Sequence, residues 1–323
     1  MFKITSGKRV KTNMRAALFT VLFLLPFLAA ARIIININYI EESTGYSTSV
    51  FPVVHFGVVV MLALAVIMLA KMFEISYLSR DFDPAQGDYT PTNISPYSEL
   101  IFNKTSAVVV FMSAFLGFAL ITSFFLMVFN LFNRNVEALN KVVLIVMILF
   151  MAFSGMFFII SATKNPSPHR KYYACLSFAP VLWSAMRIII YFMDTTRYIN
   201  TTARHLELFT SIAVTVFFLF QSRFTLQDYK YHKMGMFFTI GLSTVILISA
   251  SSISSIICVA FFPYTVQLSH ENDIIFWILD IIIMFYIITR LFRIMTQIDQ
   301  TTEDDLKDYA RGYTKSILKS SKK

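Results

Sequence analysis

The stretch Ala107–Phe132, AVVVFMSAFLGFALITSFFLMVFNLF, runs for 26 residues without a charged side chain. A helix needs about 20 mainly apolar residues to cross the roughly 30 Å hydrocarbon core of a bilayer. In lipid it is also the natural choice, because each backbone N–H finds its carbonyl within the same segment. A run this long and this apolar is the signature of a membrane span rather than of a buried helix in a soluble domain.

The rest of the chain repeats the pattern. Comparable stretches lie at Arg15–Asn38, Phe51–Phe73, Val142–Ala162, Tyr172–Met193, Leu206–Ser222, Met234–Pro263 and Ile274–Met295. Of the 323 residues, 56% are hydrophobic and 15% charged, whereas soluble domains carry about 25% charged residues. No polar segment is long enough to hold a separate globular domain. The expectation is an all-α, polytopic transmembrane helical bundle of about eight spans.

Working outward, the loops set the orientation. Lys and Arg concentrate on the cytoplasmic side of membrane proteins. With the N-terminus inside, Lys3, Lys8, Arg9, Lys11 and Arg15 begin a cytoplasmic set. Lys71, Arg80, Lys104, Lys164, Arg170, Lys171, Arg223, Lys230 and Lys233 extend it, and the charges from Arg290 to Lys323 complete it. Only Arg134, Lys141, Arg197 and Arg204 fall outside. A wrong span count would invert the bias for every later loop, so both termini are expected in the cytoplasm. Ala29-Ala30-Ala31 has the look of a signal-peptidase site, but apolar character continues to Ile40. A cleaved signal usually has an apolar region of only about 7–15 residues, so an uncleaved first span is expected.

The net charge of +9 lies mostly beside apolar spans, where it faces anionic headgroups. It does not call for nucleic acid. The expected partners are the lipid bilayer, a small anionic or lipid ligand, and a protein partner at the cytoplasmic face. That face offers loop 74–103, rich in turn formers around Asp83-Pro84 and Gly87-Asp88. It also offers a tail, residues 297–323, in which Leu306, Tyr309, Tyr313 and Ile317 recur near helical spacing beside lysines. Such a tail can lie flat in an anionic interface. The bundle proper is expected over residues 1–296.

Within the bundle, Pro26-Phe27-Leu28-Ala29-Ala30-Ala31-Arg32-Ile33-Ile34-Ile35 resembles Pro180-Val181-Leu182-Trp183-Ser184-Ala185-Met186-Arg187-Ile188-Ile189-Ile190. Each segment ends an outward-running span. The similarity raises a parallel duplication, with halves of about 15–163 and 172–296, a layout known among transporters.

Ionisable residues inside a membrane are costly and are functional candidates by default. Five stand out: Arg32, His55, Arg187, Glu207 and Asp280. At about 1.5 Å per residue, all five fall in the outer half, and no comparable set is evident in the inner half. In one reading the arginines snorkel outward and the carboxylates pair with them. In the other the five line a ligand-binding pocket, since a guanidinium fork suits carboxylates and phosphates. Asp280 favours the second, because a short side chain cannot snorkel from its depth. The serine run Ser249–Ser255 in the seventh span reads as close helix packing or as a polar lining continuing inward.

Other chemistry finds no support. No phosphate loop, nucleophile elbow or metal-ligand spacing is present, and Cys175 and Cys258 both sit in expected spans. No cofactor or metal is expected. A lipid-directed enzyme would have to use Asp280, Glu207 and His55. With 9 Gly and 9 Pro, the helices are near-continuous, which weighs against a carrier built on broken helices. The leading expectation is a transport or permease component that binds a small anionic or lipid-like ligand in the outer half. The alternative is a non-enzymatic sensor or assembly subunit signalling through loop 74–103 and the tail.

Overall fold

The computed structural model describes residues 6–40, 47–68, 106–133, 138–163, 171–197, 202–225, 234–263 and 273–296. In chain order these form α1 (Ser6–Tyr39), α2 (Phe51–Met68), α3 (Ala107–Asn133), α4 (Ala138–Thr163), α5 (Lys171–Leu176), α6 (Ala179–Arg197), α7 (Thr202–Thr225) and α8 (Met234–Ile248). A π-helical segment, Ser249–Ile253, joins α8 to α9 (Ser254–Phe261), and α10 is Asp273–Thr296. Loop 74–103 and the tail 297–323, the expected docking elements, lie outside the described residues.

Seven of these helical stretches are long and apolar enough to cross a bilayer. The eighth, expected as Tyr172–Met193, differs. Its apolar helix is the shorter Ala179–Met193, preceded by a turn at Ser177–Phe178. Pro180 is the reason. It has no N–H to donate one turn back, and its ring crowds that turn. The chain closes α5 with Ser177 N–H on the Tyr173 carbonyl at 3.0 Å, and α6 resumes with Leu182 N–H on Phe178 at 3.0 Å. Pro26, its counterpart in the similar segment, lies inside α1 without ending it.

The outside of the bundle is apolar. Phe132 is 83% exposed, Met68 81% and Phe23 71%, side chains that only lipid solvates well. The protein is a multi-pass membrane protein by this surface as well as by its helix lengths. Neighbouring helices pack in the order α3, α4, α6, α7, α8, α2, α1, and α1 returns to the π segment and α9. The α3–α4 crossing is the closest kind. A Cβ on Gly117 would stand 2.9 Å from the Gly155 carbonyl oxygen, and one on Gly155 would stand 3.0 Å from that of Gly117. Small residues at such a crossing let backbones touch where no hydrophobic drive exists between helices in lipid.

Through the middle runs α10. It meets α1 at Phe19–Phe292 (6.0 Å between rings) and α4 at Phe158–Tyr286 (5.3 Å). It meets α6 at Arg187–Asp280, α7 at Gln221–Tyr286 and the π segment at Ser252–Asp280. The contact between Phe19, early in α1, and Phe292, late in α10, puts the start of the first span and the end of the last at one face.

The serine run serves three neighbours at once. Ser249 Oγ donates to the Leu25 carbonyl of α1 at 2.9 Å. Ser251 Oγ lies 2.9 Å from Thr210 Oγ1 of α7. Ser252 Oγ donates to Asp280 Oδ2 of α10 at 2.9 Å. A π turn shifts successive residues around the helix relative to an α pitch, and here consecutive serines address different helices.

Candidate functional site

Asp273, Trp277 and Asp280 are spaced i, i+4, i+7 and share one face of α10. Arg204 and Glu207 are spaced i, i+3 on α7. Packing α6 and α7 against the outer end of α10 brings these two patterns together with Arg187, away from water. Two arginine-centred units result, both buried.

The first unit is a two-pronged pair. Arg187 Nη1 donates to Asp280 Oδ1 at 2.6 Å and Nη2 to Oδ2 at 2.7 Å, with the side chains 1% and 2% exposed. Parallel fork geometry of this kind is the strongest form of a charge-assisted hydrogen bond. The guanidinium also lies over aromatic rings, 4.9 Å from Phe276, 5.4 Å from Tyr191 and 5.7 Å from Trp183. Cations are attracted to such faces, most where water is excluded.

The second unit surrounds Arg204. Its Nη1 donates to Glu207 Oε2 at 2.6 Å and its Nη2 to Asp273 Oδ2 at 2.7 Å. Trp277 Nε1 donates to the other Glu207 oxygen at 2.8 Å. The sequence reading left Arg204 in an outside loop and did not single out Asp273. Both are buried inside helices, at 6% and 1% exposure. A signal was present: Arg204, Glu207 and Asp273 all lie within one turn of an outer helix start, where paired charge is expected to be structural.

The remaining two candidates are different. Arg32, on α1, is 2% exposed, and neither of its Nη atoms meets a hydrogen-bond partner. Its ionisable neighbours are Glu207 and Cys258, and Glu207 is already engaged on both oxygens. His55, on α2, faces Arg32 and the Leu28 backbone. It is 9% exposed, and the Leu28 backbone is its one polar neighbour among the described contacts besides Arg32. One turn beyond Arg32, Asn36 Nδ2 donates weakly to Cys258 Sγ at 3.7 Å. The two arginines of the similar segments therefore meet opposite fates. Arg187 is clamped by a carboxylate, and Arg32 is buried with its Nη atoms unmet, near His55.

No family model, curated protein or solved structure matches the chain. The site is consequently read from its own geometry.

The inner half holds a buried polar cluster of its own, where the sequence showed no set of ionisable residues comparable to the outer five. Arg290, counted there as a cytoplasmic charge, is 6% exposed and lies 17 positions along α10 from Asp273. Its Nε donates to Tyr286 Oη at 3.0 Å, and Gln221 Nε2 donates to the same oxygen at 2.7 Å. Ser113 of α3 lies 3.5 Å from Arg290 Nη2. Sequence reasoning missed this cluster because Arg290 sits near the end of an apolar run, where a loop charge is the simpler assumption. The Lys/Arg bias survives without Arg204 and Arg290. Around the inner cluster sit Phe158, Phe217, Phe218 and Phe237, all buried, with the Phe158 ring 5.3 Å from that of Tyr286. Phe217 stacks near Phe237 at 5.0 Å and Phe158 near Phe218 at 5.8 Å.

Among the described residues, no group of three or more His, Cys, Asp or Glu side chains could hold a metal ion. The free thiols, buried Cys258 and exposed Cys175, are on different helices and form no pair.

Proposed function

We propose that this multi-pass membrane protein is a transport component that binds a small anion, or the anionic headgroup of a lipid, at Arg32 in the outer half of the membrane. The observation that carries this reading is the contrast between three buried arginines. Arg187 and Arg204 are each answered by carboxylates, and Arg32 is not. A buried unpaired guanidinium costs several kcal/mol on the order of the desolvation penalty of one ion. A fold that retains it near His55 is suited to an acceptor arriving from elsewhere, and a fork of donors suits a carboxylate or a phosphate.

Passage rather than mere binding is supported by the polar groups that continue inward. Thr210, Ser251, Ser252 and Asp280 are linked by hydroxyl contacts, and Gln221, Tyr286 and Arg290 form a second polar cluster further along α7 and α10. Of the five residues expected to line one pocket, Arg32 and His55 would take the ligand. Glu207 would set the local charge, while Arg187 and Asp280 hold α6 to α10.

The test is native mass spectrometry of the mildly purified protein, with the Arg32→Gln variant and the Arg187→Met/Asp280→Leu double variant alongside. A defined anion or anionic lipid carried by the wild type and the double variant, and lost in Arg32→Gln, is the expected result. Identical, nonspecific lipid adducts on all three forms would overturn the reading.

A further inference from the structure

The binding reading leaves His55 with a specific task. It is the sole titratable side chain of α2. The groups facing it can be named element by element. From α1 it meets Arg32. From α7 the nearest are His205, whose ring lies 6.3 Å from that of Phe56, and Glu207, held by Arg204 and Trp277. From α9 comes Cys258, beside Arg32. The sequence of α8, which packs along α2, contains no ionisable residue.

The outer cluster has balanced fixed charge. Arg32, Arg187 and Arg204 face Glu207, Asp273 and Asp280, and all six are buried. An anion that settles on Arg32 adds one negative charge to a medium of low dielectric, where an uncompensated charge is costly. A proton is the smallest compensation, and few groups are open to it. Both oxygens of Glu207 and both of Asp280 already accept hydrogen bonds from cationic, indole or hydroxyl donors, and Asp273 is held by the Arg204 guanidinium at 2.7 Å. His55 lies against the Leu28 backbone and within electrostatic reach of Arg32, and a neutral imidazole that donates from one ring nitrogen keeps the other open to a proton. Two neighbouring cations without an anion repel, whereas an anion between them attracts both.

Resting on the binding reading above, we infer that anion binding at Arg32 takes up one proton on His55, so that the ligand and a proton occupy the site together. The balance is simple. A neutral imidazole, a proton and a monoanion become an imidazolium–anion pair, with no net change in the charge of the cluster. The bound species is equivalent to the undissociated acid of a carboxylate or a phosphodiester. In a transport component this is the arrangement of proton-coupled uptake.

Acetate and dimethyl phosphate stand in for a free carboxylate and for a lipid phosphodiester, and both remain monoanionic from pH 6 to 8. Their binding to the purified full chain is measured calorimetrically in buffers of different ionisation enthalpy, which counts protons taken up per anion. The expected result is about one proton per anion and an affinity that rises as pH falls, approaching about tenfold per pH unit, because the bound state holds more protons than the free state. His55→Gln binds more weakly, with no proton uptake and no pH dependence. His55→Asn repeats the measurement should the glutamine variant fail to fold, and the proton count on the wild type stands without either. Which probe binds distinguishes a carboxylate ligand from a phosphodiester headgroup. Binding without proton uptake overturns this inference and leaves the Arg32 site intact. Uptake that persists in both His55 variants overturns the assignment to His55. Absence of binding by either probe and by phosphatidylglycerol in nanodiscs overturns the Arg32 site itself.

Discussion

Replacing Arg187 by methionine should destabilise the fold far more than replacing Arg32 by methionine. Arg187 answers Asp280 through two hydrogen bonds of 2.6 and 2.7 Å. Removing it leaves a buried carboxylate with the Ser252 hydroxyl as its remaining described donor, at 2.9 Å. Breaking one side of a buried pair costs about 3–5 kcal/mol, or roughly two to three and a half decades in the folding constant at 1.4 kcal/mol per tenfold. The Arg187→Met/Asp280→Leu double variant should recover most of that loss, because no charge is left behind. Arg32→Met removes a guanidinium whose two Nη atoms have no partner, and Glu207 keeps Arg204 and Trp277. Its stability should change little, because the guanidinium lost made no Nη hydrogen bond and its desolvation cost offsets the long-range attraction to Glu207. Unfolding in mixed micelles with increasing sodium dodecyl sulfate gives the free energies. Intrinsic fluorescence reads the right place, because both tryptophans of the chain are buried in the outer cluster, Trp183 5.7 Å from the Arg187 guanidinium and Trp277 donating to Glu207. Equal destabilisation by Arg32→Met and Arg187→Met would refute the division between structural and ligand-directed arginine.

Further perturbations test the neighbouring parts. Gly117→Ala places a methyl 2.9 Å from the Gly155 carbonyl oxygen, so α3 and α4 must move apart, at about 1–3 kcal/mol, read as a lowered melting temperature in detergent. Tyr286→Phe withdraws the acceptor shared by Gln221 and Arg290, and should cost about 1–3 kcal/mol while leaving outer-half anion binding unchanged. Loss of anion binding in that variant would show the two clusters to be one unit. Trp277→Phe removes the indole donor from Glu207 and should cost about 1–3 kcal/mol, less than Arg187→Met in the same micelle titration.

Apolar runs, their lengths and the Lys/Arg bias were readable without tertiary contacts, because lipid imposes its demands on each span separately. Every span must satisfy its own backbone and present apolar side chains, so Ala107–Phe132 decides its own fate. The same locality made Arg32, His55, Arg187, Glu207 and Asp280 visible as anomalies. Their grouping was not local. Whether a buried arginine is answered depends on which carboxylate a distant helix delivers, and Arg187 and Asp280 are 93 positions apart. Sequence alone treated Arg32 and Arg187 as equivalents, on closely similar segments. The packing of α6 against α10 clamped one, and the placement of α1 beside α2 left the other facing His55. Charges near span ends were the hardest to read: Arg204 and Arg290 looked like loop residues, and only the burial supplied by α10 and its neighbours made them part of the interior. The break before Pro180 was written in the sequence, since proline removes a donor wherever it stands. That Pro26 does not end α1 was decided by its surroundings. The chain by itself determined that it is a membrane bundle, because hydrophobicity and backbone satisfaction act residue by residue. Which buried charge is paired and which is left open was decided by the tertiary structure, because electrostatic pairing in a low dielectric is set by contacts between helices.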